Sequence, residues 1–261
     1  MSLRHIAGLL AAIVFLTTPA LAQQAVSPSL ERGDFGPFVR SLNEKPYGYM
    51  LVPDPTGNAP TAVVERFELR DGDCGVNGAW SDCEKDRERS ELREMGARSP
   101  EGTEAWYGWS FYLPQDWPDV WPTKTVLGQF HQIRSHPIWM FLLKNGGLVL
   151  DDQSTGRTTR TVELIPKDDL RDRWHRVEIN ANWRNDDQGF FRVWIDGETK
   201  IAWTGPTMDA ETVYFRYGVY RSFVSRFKNA TGADTMPTQT AYFANVRRAA
   251  AREGLAAPGD R

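Results

Sequence analysis

The chain has 261 residues, with 31 Lys and Arg against 34 Asp and Glu, and a formal charge of -3. That balance excludes a strongly basic nucleic-acid binder. With 41% apolar and 25% charged residues, it is neither a polytopic membrane protein nor a disordered chain, and it is long enough to bury a sizeable core.

In chain order, residues 1–22 read as an export signal. Arg4 and His5 precede an apolar run over residues 6–16, and Ala20 and Ala22 supply small residues at the cleavage positions. The run is too short to cross ~30 Å of hydrocarbon, so a membrane anchor is disfavoured. The expectation is a secreted or periplasmic protein with an N-terminal linker over residues 23–30 and no membrane association after cleavage. Export makes the two cysteines, Cys74 and Cys83, informative. In an oxidising compartment they are most simply one disulfide. The alternative, a metal pair, needs further thiol or imidazole ligands at metal spacing, and none lie nearby.

No long segment has a helical period. Short alternating runs follow one another instead, at residues 63–69, 105–113 (AWYGWSFYL), 125–133 (TVLGQFHQI), 138–143, 148–150, 176–182, 190–195, 200–203, 213–220 and 239–246. Turn residues such as Asp71-Gly72, Asn145-Gly146-Gly147 and Asp196-Gly197 separate them. Ten or more short strands at this spacing predict an all-β sandwich or barrel, one domain over residues 31–248. The Ala-, Gly- and Pro-rich residues 249–261 read as a disordered tail. Residues 222–237, rich in Arg, Lys, Gly and Asn, read as a mobile loop beside a cleft.

Three of these strands carry polar residues on one face, because alternate residues share a side. In RSELR (89–93), Arg89, Glu91 and Arg93 point one way and Leu92 goes to the core. In QFH (129–131), Gln129 and His131 share a face while Val126 and Phe130 point inward; a satisfied core histidine is the competing reading. In residues 214–221 (YFRYGVYR), Tyr214, Arg216, Gly218 and Tyr220 align, and Gly218 leaves room for a ligand to approach the backbone. Together they bring cations, an amide, an imidazole and phenols to one concave surface, a set suited to an anionic sugar. The 10 Trp add flat apolar faces for sugar rings. Trp80, Trp109, Trp121 and Trp139 are the candidates, with Trp109 and Trp139 placed in the substrate-binding set alongside Glu91, Arg216 and Tyr214.

The segment WHRVEI (174–179) followed by GFFRVWIDG (189–197) resembles the antiparallel hairpin of concanavalin-like jelly rolls. It implies a β-jelly-roll sandwich of two antiparallel sheets with a concave substrate groove, and it makes His175 a structural strand residue. The trio RSELR, QFH and YFRYGVY resembles the three signature strands of family 7 alginate lyases, which carry RTELR, QIH and YFKAGVYNQ. The segment from Cys74 through RSELRE also resembles the wider polysaccharide lyase group that includes glucuronan lyases and heparin lyase I-like enzymes. Arg216 stands where alginate lyases have Lys, and Tyr217 and Arg221 replace Ala and Asn, which places a glucuronan-like substrate slightly ahead of alginate.

The resemblance implies β-elimination beside a uronate. Gln129 with Arg89 or Arg93 would neutralise the carboxylate. Tyr220 would protonate the leaving oxygen, and either Tyr220 or His131 would take the C5 proton, with nearby cations such as Arg216 favouring phenolate. Glu91 would orient the arginines. The catalytic set is therefore Tyr220, His131, Gln129, Arg89 and Arg93, acting on an anionic polysaccharide, with no nucleic-acid partner, as a monomer. No cofactor or catalytic metal is implied, although acidic loops offer oxygen ligands for a structural Ca2+. Two rivals remain. A glycoside hydrolase would need two flanking carboxylates, for which no ExDxxE strand is found. A non-catalytic carbohydrate-binding module would explain the fold but not Gln129, His131 and Tyr220 together.

Overall fold

A computed structural model of the chain describes residues 30–78, 80–96, 98–154 and 160–257. The expected export signal, nearly all of the linker and the last four residues lie outside that set. Two large antiparallel sheets face each other. The first runs in the order β1 (Phe38–Arg40), β6 (Arg87–Glu94), β16 (Thr212–Ser222), β9 (Lys124–Gln132), β10 (Pro137–Lys144), β11 (Gly147–Asp152) and β12 (Arg160–Ile165), with β7 (Ser99–Pro100) paired to one end of β16. The second runs β15 (Glu198–Thr204), β14 (Phe190–Ile195), β13 (Trp174–Asn182), β8 (Glu104–Tyr112), β17 (Gln239–Ala249), β3 (Val63–Leu69) and β2 (Tyr49–Pro53). Two short strands, β4 (Val76–Asn77) and β5 (Trp80–Ser81), form a hairpin inside the loop closed by the Cys74–Cys83 disulfide. The expected jelly-roll sandwich and the expected disulfide are both present.

The core lies between the sheets and follows the period-2 alternation of the strands. Tyr107, Trp109 and Phe111 of β8 all point inward and are at most 2% exposed. They meet Phe130, Phe141 and Phe215 from the opposite sheet. Full burial of each such ring contributes about 2–3 kcal/mol. This alternation corrects two assignments. Trp109 packs edge-on to Phe141 at 5.0 Å, and Trp139 stacks on Phe191 at 4.1 Å while its indole N–H donates to the Thr207 carbonyl at 3.0 Å. Both are core residues and face no substrate.

Strand β14 pairs with β13, Val177 opposite Ile195, and turns into β15 at Asp196 and Gly197, with φ of 52° and 84°. Two successive positive φ values are what a tight type I′ turn requires. The Asp196 carboxylate accepts the Arg176 N–H at 2.7 Å and meets His175 Nδ1 at 2.8 Å. His175 Nε2 faces the carbonyls of Asp169 and Leu170. That imidazole therefore ties β13 to two turns, the structural role expected of it.

Both ends of the domain are fastened. Arg32 forms a buried bidentate pair with Glu65 and donates to the Tyr217 hydroxyl, and Gly33 bridges Arg248 of the last strand. Residues 249–257 are not the frayed tail expected from composition. After β17 they make a 3-10 turn (Arg252–Leu255). Leu255 is 1% exposed and lies over Gly108, where an added Cβ would come within 3.2 Å of it. Arg252 pairs with Glu178 at 2.8 Å. Two apolar side chains, Leu255 and Ala257, dock a segment whose Ala-rich composition suggested none.

Residues 222–237 likewise hold defined structure. Helix α1 (Val224–Thr231) follows β16 and ends at Gly232, whose φ is 72°. Val224 and Met236 pack on Val120, Ser225 bonds Asp86 and Lys228 pairs with Asp71 at 2.8 Å. A short helix pinned by these contacts replaces the expected mobile loop. The docked tail gives a direct test. Leu255→Ala should cost about 2–3 kcal/mol and lower the melting temperature by several degrees. Turnover at 25 °C should not change, and a melting temperature equal to wild type would show that residues 249–257 do not hold the sheet.

Candidate active site

The three polar strands are neighbours in one sheet, with β16 between β6 and β9. In register, Arg216 lies between Arg93 and Gln129, Tyr220 between Arg89 and Val126, and Tyr214 opposite His131. On β6, Leu92 is wholly buried in the core while Arg89 and Arg93 line a groove on the outer face. On β16, Phe215, Tyr217 and Val219 enter the core and Arg216 and Tyr220 line the groove.

Two irregularities adjust this pattern. Phe141 pairs with Gly128 but Leu142 pairs with Val126, so Leu127 is an extra residue on β9. A one-residue bulge reverses the facing of everything beyond it. Val126 therefore turns outward, contrary to expectation, and joins Met140, Leu142 and Val149 in an apolar patch on which Tyr220 packs. Gly218 has φ of 130°, and a Cβ there would meet the Ser90 carbonyl at 2.4 Å and Phe67 at 2.8 Å. Its glycine serves backbone conformation and inward packing, not ligand approach.

The groove has a volume of about 640 Å³. Its described lining holds five fixed cations, Arg87, Arg89, Arg93, Lys124 and Arg216, and no carboxylate. The balancing charge lies beneath. Glu91, 4% exposed, accepts from Gln129 Nε2 at 2.5 Å through one oxygen, and from Arg89 at 3.1 Å and Arg216 at 3.4 Å through the other. Asp82 holds Arg89 by two bonds of 2.6 and 2.7 Å. Arg216 also donates to the Tyr214 hydroxyl at 2.7 Å. The structure thus brings together Arg89, Glu91, Arg93, Gln129, His131, Tyr214, Arg216 and Tyr220 and leaves Trp109 and Trp139 out.

His131 Nδ1 lies 2.7 Å from the Gln132 carbonyl. A carbonyl only accepts, so Nδ1 carries the hydrogen and Nε2 holds the lone pair. Burial, and then the positive charge of Arg216, pull this imidazole down to about 3, so it is neutral at physiological pH. Tyr220 moves the other way. Burial raises its phenol above the ordinary value, opposed by Arg89, whose guanidinium carbon is 4.6 Å from the ring centre. The expectation that nearby cations make it a phenolate is corrected: burial outweighs them and the phenol stays protonated near neutrality.

Two of the three departures from the alginate lyase pattern are internal. Tyr217 is wholly buried and bonds Glu65. Arg221 is wholly buried, pairs with Glu88 at 2.6 Å and donates to the carbonyls of Pro237 and Arg70. Only Arg216 reaches the groove. Trp80, 43% exposed, stands on the groove lining, whereas Trp121 lies under Lys144. Residues the sequence did not single out include Lys124, which the alternation with Val126 could have marked, and Asp82, which no local pattern marks. Among the described residues no group of three or more His, Cys, Asp or Glu is arranged to hold a metal ion.

Residues 30–247 match the polysaccharide lyase family. The chain belongs to that family. It is a polysaccharide lyase with a groove lined by cations. Comparison with curated proteins yields no match. Among solved structures it is similar to an endo-β-1,4-glucuronan lyase from the fungus Trichoderma reesei, at 18% identity over 81% of this chain and 91% of that one, with a TM-score of 0.57. It is also similar to a family 7 alginate lyase in complex with product (GGG), at 16% identity over 80% and 85% with a TM-score of 0.55. An alginate lyase from Corynebacterium sp. matches at 16% identity over 79% and 81%, with a TM-score of 0.50. At these identities the likeness is one of fold.

The depressed His131 gives a stability prediction. The unfolded imidazole binds its proton near ~6.5 and the folded one only near 3, so the unfolded state holds more protons between those values. Stability linked to His131 is present above ~6.5 and lost as pH falls towards 3. The wild-type melting temperature should therefore drop more steeply from pH 7 to 4 than that of His131→Asn. Parallel curves would show that the imidazole is not held neutral.

Proposed function

We propose that this lyase is an exported, monomeric enzyme that cleaves a 1,4-linked polyuronate by β-elimination, with a glucuronan-like backbone ahead of alginate. The observation that carries the reading is the shared placement of neutral His131 and protonated Tyr220 on a floor with five cations and no lining carboxylate. Such a floor attracts a polyanion and offers a neutral glucan no comparable pull. The likeness to alginate lyases captured with oligosaccharides supports an anionic polysaccharide substrate. The reading of residues 1–22 supports export, and the disulfide suits an oxidising compartment. Arg216, the one departure that reaches the groove, carries the preference for glucuronan, since its planar fork binds a carboxylate differently from an ammonium.

In this reading Gln129, Arg93 and Arg216 neutralise the uronate carboxylate and lower the cost of negative charge developing at C5. His131 Nε2 takes the C5 proton. The C5–H electron pair becomes the C4=C5 double bond, the C4–O4 bond breaks, and O4 takes the Tyr220 proton. The free imidazole is a weak base because burial, and then the cations, oppose its charge. A bound carboxylate offsets those cations and raises its basicity when substrate is present. Glu91 holds the arginines and the amide in place from below.

The test is ultraviolet absorbance from the new double bond with glucuronan, polymannuronate, polyguluronate and heparin, each mixed separately with the protein. The expected result is a rise with glucuronan, reduced about 10²–10⁴-fold in kcat by Tyr220→Phe while oligosaccharide binding persists. A rise with alginate alone would move the substrate assignment. Binding without any rise would favour a carbohydrate-binding module.

A further inference from the structure

The loop closed by Cys74 and Cys83 lines the groove with Asn77 and Trp80 and reaches Arg89 beneath it through one buried carboxylate. Asp82 is wholly buried. Its two oxygens take both bonds from Arg89 and a third from the Trp80 indole N–H at 3.0 Å. With those acceptors committed and no exposed surface, Asp82 does not touch substrate. Its own backbone is fixed within the loop. Asp82 N–H donates to the Gly75 carbonyl at 3.0 Å, and its carbonyl accepts from Arg87 at 2.9 Å. Gly75 in turn lies so close to residue 42 that a Cβ would fall 2.1 Å from the Leu42 carbonyl. The loop is therefore clamped at both ends, by the disulfide and by this contact.

The consequence falls on Arg89. Its Nε and one terminal nitrogen are committed to Asp82, and its other terminal nitrogen is shared by Glu91 and Ser41. A guanidinium engaged on three sides is poorly placed to fork onto a substrate carboxylate. Its open face lies against the Tyr220 ring instead. Resting on the lyase reading above, we propose that Asp82 is a positioning residue: held by the disulfide loop, it locks Arg89 against Tyr220 and orients that phenol for transfer of its proton to the leaving oxygen.

The charged groups that act on Tyr220 are Arg87, Arg89 and Glu91 from β6 and Asp82 from the loop. From β9, β10 and β11 it meets the apolar Val126, Met140, Leu142 and Val149. Removing the Asp82 charge leaves the arginines less opposed, which favours phenolate. The Asp82 charge itself adds to the upward push of burial on the phenol, so its removal moves the phenol downward.

The test combines a mutant cycle with a titration. Asp82→Asn should lower kcat about 10²-fold, the scale of a small misplacement of a catalytic group, with KM changed less than about threefold. Arg89→Met should lower kcat similarly, and adding Asp82→Asn to it should change kcat less than about twofold, because the two act as one unit. The phenolate absorbance of Tyr220, read as the difference from the matching Tyr220→Phe protein, should titrate at lower pH in Asp82→Asn than in wild type. If Asp82→Asn alone does not fold, the double variant removes both buried charges and keeps the comparison with Arg89→Met. A kcat for Asp82→Asn within about twofold of wild type, multiplicative losses in the double variant, or an unmoved Tyr220 titration would each overturn the proposal. If the wild-type protein releases no unsaturated product from any polyuronate, the substrate reading fails, and the titration, which needs no substrate, still decides the role of Asp82.

Discussion

Everything on the groove floor depends on one carboxylate that substrate never meets. Glu91 accepts from Gln129, Arg89 and Arg216, and without its charge two guanidinium groups would face each other across adjacent strands with nothing between them. A buried ion network of this kind adds little net stability, because desolvation offsets the attraction. Its return is orientation. The cations stay charged and line the groove, while the compensating negative charge stays one layer down. A lone carboxylate on the groove surface would repel the polyanion; the same carboxylate beneath it organises the site.

The strands can hold that arrangement because the two faces of the sheet have opposite duties. Every core residue on β6, β16 and β9 commits its neighbour to the groove. Leu92 fixes Glu91 and Arg93, Phe215 and Tyr217 fix Arg216, and Phe130 fixes Gln129 and His131. The extra residue Leu127 interrupts this order at the right place, so that Val126 comes out beneath Tyr220. The phenol thus lies between an apolar patch and Arg89, and this pairing keeps it protonated yet close to a cation.

Much of this could be read in the chain. Alternation gave the sandwich, the facing of Arg89, Glu91, Arg93, Gln129, His131, Tyr214, Arg216 and Tyr220, and the Asp196-Gly197 turn. What was not legible has physical causes. Alternation around Trp109 already pointed to the core, since it shares a face with Tyr107 and Phe111, but tryptophan serves packing and sugar stacking equally well and the type alone misled. The Leu127 bulge reverses parity through a register that only the partner strand reveals. Composition undervalued Leu255, because with Ala257 it suffices to dock a segment otherwise made of polar and small residues. Asp82 is joined to Arg89 through loop geometry, and the groove's acid-base balance comes from burial, which no linear pattern displays.

The bridge from Gly33 to Arg248 and the buried Arg32–Glu65 pair have a consequence for the order of assembly. Strand β17 lies between β8 and β3, so the second sheet has a gap at its centre until residues 239–249 arrive. Until then the inner face of β3 has no neighbour on one side, and the Arg32 segment has no last strand to join. Contacts this distant in sequence form slowly. The domain cannot close in the direction in which it is synthesised, and it remains an open, aromatic-rich chain until its final strand is available. Such a chain exposes its aromatic surface to its own kind until the last strand arrives.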